Sequence, residues 1–73
     1  MKYTIKLFTG AVRSDLVYEI TKDFNQARNS TRSAAVQKYL DVIGKEHSAT
    51  HAEVTTCGFT DKFVFSNGKS YCH

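Results

Sequence analysis

At 73 residues the chain has room for a single hydrophobic core, so residues 1–73 are expected to form one domain. Hydrophobic residues make up 41% and charged residues 23%, a folded rather than a disordered composition, and ten Lys and Arg against seven Asp and Glu leave a net charge of +3. No apolar run approaches the ~18 residues that cross a bilayer, and no continuous apolar stretch of about 7–15 residues follows the start, so a cytoplasmic protein without membrane contact is expected. In that compartment a structural disulfide is disfavoured.

Residues 2–8 alternate, with Tyr3, Ile5 and Leu7 on one side and Lys2, Thr4 and Lys6 on the other. Period two with aromatic and β-branched residues predicts a half-buried strand, and Phe8 breaks the alternation at its end. The stretch from Thr9 to Asp15 reads as a loop with Gly10 able to take positive φ. Residues 16–21 alternate again, with Leu16, Tyr18 and Ile20 against Val17, Glu19 and Thr21. Two strands joined by a short loop predict an antiparallel hairpin.

Asp23-Phe24-Asn25-Gln26 has the form of a helix start, with Gln26 three residues after a capping Asp23. Ala35, Val36, Tyr39, Leu40 and Ile43 recur at helical spacing, and Gly44 or its successors would end the helix. The pattern predicts one helix of roughly 20 residues. A shorter helix starting near Ser30 is the alternative, because Asn29, Ser30 and Thr31 compete for backbone hydrogen bonds.

Residues 50–57 return to alternation, Gly58 to Asp61 interrupts it, and a strand-like Lys62-Phe63-Val64-Phe65 follows. Asn67-Gly68 between two such runs is a strong hairpin signal, since both central residues accept positive φ. It would pair Phe65 with Ser70 and Phe63 with Cys72. The expected fold is therefore α+β: a five-stranded antiparallel sheet, ββαβββ in chain order, with one helix packed on one face. The helix would cover Tyr3, Ile5, Leu7, Leu16, Tyr18, Ile20, Val54, Phe63 and Phe65. The other face would carry Lys2, Lys6, Val17, Glu19, Lys62, Val64 and Tyr71 and stay bare as a contact surface.

The residue types that carry chemistry are sparse. His47, His51, Cys57, Cys72 and His73 include metal-ligand types, but their spacing fits no finger pattern, and no metal or cofactor is expected. With a two- or four-residue turn near Thr60, strand parity sets Cys57 on the face with Val64 and Cys72 on the face with Phe63, which keeps their sulfurs apart; a three-residue loop or a bulge would reverse this. No Gly-rich phosphate loop, nucleophile elbow or carboxylate pair appears, so no catalytic residue is assigned and a non-enzymatic protein is expected.

The basic residues are the remaining candidates. Arg28 and Arg32 share a helix face in the long-helix reading, Lys62 and Lys69 lie on the last hairpin, and Lys2 and Lys6 on the first strand. Guanidinium and ammonium groups suit phosphate or carboxylate partners, and an aromatic such as Tyr71 can stack on a base. Scattered Asp15, Glu19, Asp41, Glu46 and Glu53 give the alternative of an ordinary solvated surface. Partner-binding candidates are thus Arg28, Arg32, Lys62, Lys69, Tyr71, Lys2 and Lys6, with direct nucleic-acid contact as one reading. Sheet-edge strands can also pair two copies into a homodimer.

Several local runs resemble the small phage-encoded anti-CRISPR proteins, specifically short strand-rich inhibitors of type I-F surveillance complexes. They are Met1-Lys2 before an alternating strand, Asn25-Gln26-Ala27-Arg28, Ala52-Glu53-Val54-Thr55, Phe63-Val64-Phe65, and Asn67-Gly68-Lys69-Ser70-Tyr71-Cys72. The resemblance implies a phage or mobile-element inhibitor that evades host defence by protein binding in the host cytoplasm. Its implied partner is a host protein or ribonucleoprotein, the CRISPR effector, with Arg28 and Lys69 inheriting the docking role. Ser66 stands where the family's pattern would place a second hairpin cation. Glu19-Ile20-Thr21 closing the first hairpin, before a helix and a Cys-containing strand, is also similar to small phage antitoxins that block a host RNase toxin. A small nucleic-acid-binding module is the further alternative.

Overall fold

A computed structural model describes residues 2–10, 15–24, 31 and 33–72. The strands are β1 (Lys2–Thr9), β2 (Asp15–Asp23), β3 (His51–Thr56), β4 (Phe59–Ser66) and β5 (Lys69–Cys72), with α1 (Ala34–Glu46) between β2 and β3. They form one five-stranded antiparallel sheet in the order β2-β1-β3-β4-β5. This is the expected α+β architecture, with the chain-order second strand outermost and β1 inside the sheet.

The core follows from period-two and period-3.6 patterns meeting face to face. Tyr3, Ile5 and Leu7 of β1, Ala52 and Val54 of β3, and Phe63 of β4 are fully buried. Against them lies the helical stripe Val36, Leu40, Ile43 and Gly44. Tyr18, Ile20, Tyr39 and Phe65 pack at the margin of this core. Gly44 lets the helix approach closely, because a Cβ there would overlap the Phe65 ring.

The helix is shorter than the long reading. It runs for 13 residues from an N-cap at Ser33, whose hydroxyl accepts from the Val36 amide at 3.3 Å. Asp23 is the last residue of β2, paired with Lys2, and Phe24 is outside any element, so no helix begins at Phe24. The expected opening Asn25-Gln26-Ala27-Arg28 lies outside the described residues. Phe24 instead plugs the core, its ring edge-on to Tyr3 at 5.2 Å and to Tyr39 at 5.6 Å.

Leu16 also departs from its expected face. The β1–β2 register shifts between Leu7 and Phe8, pairing Leu7 with Tyr18 but Phe8 with Leu16. Val17 is the extra residue of a β-bulge. Leu16 therefore shares the face of Phe8, not of Leu7, and is 52% exposed.

Two tight turns complete the sheet. Asn67-Gly68 joins β4 to β5 with both residues at positive φ, 52° and 77°. The pairings Phe65 with Ser70 and Phe63 with Cys72 are as expected. Cys57-Gly58 makes the same kind of turn between β3 and β4, at φ 46° and 81°, so β4 begins at Phe59.

Candidate contact surface on the open sheet face

The open face is built row by row from the strand registers. One row crosses all five strands: Leu16, Phe8, His51, Val64 and Tyr71. It is apolar and aromatic except for His51, and Leu16 and Tyr71 at its ends are each about half exposed. The next row crosses four strands as Glu19, Lys6, Glu53 and Lys62, strictly alternating in charge. Below it comes a threonine row, Thr21, Thr4, Thr55 and Thr60. Hydroxyl contacts of 3.2 Å (Thr4 to Thr21) and 2.9 Å (Thr55 to Thr60) link it. No described helix or strand lies over these rows.

Cross-strand neighbours of opposite charge stand about 5 Å apart at Cβ and contribute roughly 0.2–1 kcal/mol each. The alternating row therefore stabilises the sheet modestly while keeping the face locally neutral. Lys2 lies below the threonine row, paired with Asp23, and Lys69 lies above the apolar row, paired with Ser66. The threonine pairs are polar without net charge.

Five of the candidates named from the sequence, Lys2, Lys6, Lys62, Lys69 and Tyr71, thus share this one face. Lys62 and Lys69 are not direct neighbours, since Val64 and Ser66 intervene along β4. Arg28 and Arg32 lie outside the described residues. Alternation within single strands does not reveal the apolar row as a unit. Phe8 ends the apolar alternation of β1, yet it has the parity of Lys6, and Leu16 changes face only through the bulge.

The metal-ligand types are dispersed. His47 stacks on Tyr18 with ring centroids 4.2 Å apart, beside the helix end. His51 sits in the apolar row with its Nδ1 at 2.8 Å from the Thr50 hydroxyl. Cys57 and Cys72 are both exposed. Among the described residues no three His, Cys, Asp or Glu side chains gather as a metal site. His73 lies outside the described residues.

On the other side of the sheet, a shallow groove of about 360 Å³ separates the end of α1 from the β4–β5 turn, lined by Asp41, Lys45, Phe65 and Asn67 among others. Its carboxylate is already occupied: Asp41 accepts from the Ser70 amide at 2.7 Å and from the Ser70 hydroxyl at 2.8 Å. The groove is a seam of the helix–sheet packing.

Among the described residues no helix is long and apolar enough to cross a membrane. No family model, no curated protein and no solved structure matches this chain.

Proposed function

We propose that the protein is a non-enzymatic binding protein that disables a host defence complex by contact through its open sheet face, in the manner of an anti-CRISPR inhibitor. One observation carries the reading: Lys2, Lys6, Lys62 and Lys69 share a face with a five-residue row, apolar but for His51 and ending in Tyr71, that no described element covers. Exposed apolar area rimmed by charge is the usual make-up of a protein contact surface. The partner class is a host protein or ribonucleoprotein in the host cytoplasm. The alternating row favours a protein surface over bare nucleic acid, because Glu19 and Glu53 stand beside the very lysines a phosphate backbone would need. Affinity capture against a type I-F surveillance complex, paired with a plaque assay, tests the proposal. Retention of the complex and protection of phage are expected. No retention together with no protection removes the reading. A gel shift at about 50 mM salt that is lost steeply on adding salt would favour the nucleic-acid alternative instead.

A further inference from the structure

We infer that the open face is self-complementary and, in the absence of another partner, holds a second copy of this chain in a face-to-face dimer. The inference rests on the reading above that this face is a contact surface, and adds what occupies it in the free protein.

A two-fold axis parallel to the strands reverses each row from left to right and keeps each row at its own height. Placed between β1 and β3, it sets the row Glu19, Lys6, Glu53, Lys62 against its own reverse. Glu19 then faces Lys62 of the second copy, and Lys6 faces Glu53, at every position along the row. The same operation lays apolar row on apolar row, with Leu16 over Val64 and Phe8 over His51, and threonine row on threonine row.

The charge row selects this axis. Shifting it onto β3 sets Lys6 against Lys62 and Glu53 against itself. An axis running along the row sets every charge against its own copy. Like charges placed across a contact are strongly disfavoured, so the alternation excludes the neighbouring docking modes as well as favouring one. Sheets packed this way sit about 10 Å apart, a gap that Lys and Glu side chains reach across from both sides.

The overlap is four strands wide and three rows deep, roughly 400 Å² of flat footprint per copy before side-chain relief is counted. That is the small end of specific interfaces. Association is therefore weak, and β5 with Lys69 and Tyr71 overhangs at both rims. A tighter-binding partner on the same face displaces the second copy.

Sedimentation equilibrium of the wild-type protein, Glu19→Lys, Lys62→Glu and an equimolar mixture of the two variants tests the inference. Both positions are exposed strand residues, so the variants keep the fold, which circular dichroism checks. Wild type is expected to dimerise between about 10 µM and 1 mM, the weak range for specific association. Each variant alone sets like charges face to face and is expected to weaken the dimer at least tenfold. In the mixture, a Glu19→Lys chain meets a Lys62→Glu chain with opposite charges at both contacts between positions 19 and 62, and a heterodimer is expected to be restored. Wild type still monomeric at about 1 mM, single variants that dimerise as well as wild type, or a mixture no better than its parts would each overturn it. Failure here is distinct from failure of the proposed function: a monomer that captures a defence complex removes only the dimer, and a dimer that captures none removes only the inhibitor reading.

Discussion

Asp41 of α1 holds Ser70 of β5 by two hydrogen bonds, accepting from its amide at 2.7 Å and from its hydroxyl at 2.8 Å. Ser70 is buried, so these bonds tie the short edge strand to the helix where hydrophobic packing is thin. Asp41→Ala removes the acceptor of the buried Ser70 amide and leaves the Ser70 hydroxyl only the longer bond to Gln37 Oε1 at 3.5 Å, which costs about 1–3 kcal/mol. Asp41→Asn keeps one acceptor oxygen and is expected to cost less. Urea unfolding of the two variants measures the difference, and hydrogen exchange is expected to rise first in β5.

Gly44 offers a test of opposing effects. In an exposed helix interior Gly→Ala gains roughly 1 kcal/mol. Here the added methyl overlaps the Phe65 ring, which must shift from its packed position to admit it. Overpacking costs typically about 1–3 kcal/mol, so Gly44→Ala is expected to lower stability on balance. Phe65→Leu in the Gly44→Ala background frees space beside the methyl. A double-mutant cycle by thermal unfolding is expected to show coupling between the two positions.

Leu16 and Leu7 test the bulge. Leu7 is fully buried, whereas Leu16 is turned to the open face. Leu7→Ala is expected to cost about 2–5 kcal/mol. Leu16→Ser is expected to change stability by less than about 0.5 kcal/mol, as surface substitutions do. Equal large losses in urea unfolding would place both side chains in the core and remove the bulge from the account.

Much of the fold is legible in the sequence because strand parity is a local property. Tyr3, Ile5 and Leu7, and later Phe63 and Phe65, declare their face through alternation alone, and Asn67-Gly68 declares its turn through residue type. Leu16 is misplaced because a bulge inserts a residue without any change in composition, reversing the parity that alternation supplies. The Cys57-Gly58 turn is hidden for a similar reason, since Cys has no particular preference for positive φ. Asp23 resembles a cap but is held in β2 by pairing with Lys2, a tertiary contact that overrides a local signal. The rows of the open face belong to the register of four or five strands together. Individual lysines can be named from the sequence, but the charge alternation across strands cannot.

Tyr39 gives the stability a pH dependence. Burial first, and then the neighbouring Tyr18 and Glu46, push its hydroxyl above the ordinary 10.0. The folded state thus favours the neutral phenol. Its stabilisation is complete below pH 10.0 and is lost as the pH rises from there through the raised value of the folded state. Lys22 lies 5.1 Å from the Tyr39 ring centroid on the same cluster. Tyr39→Phe is expected to flatten the alkaline fall in unfolding free energy, measured by urea titration at intervals above neutral pH.

In the proposed function the open face makes the contact with the partner. The most direct measurement is the affinity of a purified type I-F surveillance complex for wild type and for a Lys6→Glu, Lys62→Glu, Tyr71→Ala variant. Losing a binding anchor of this kind typically costs at least about 1.4 kcal/mol, a factor of ten. Saturable binding by wild type, weakened tenfold or more in the variant, is the predicted result. Equal affinity for both proteins, or no binding by either, would contradict it.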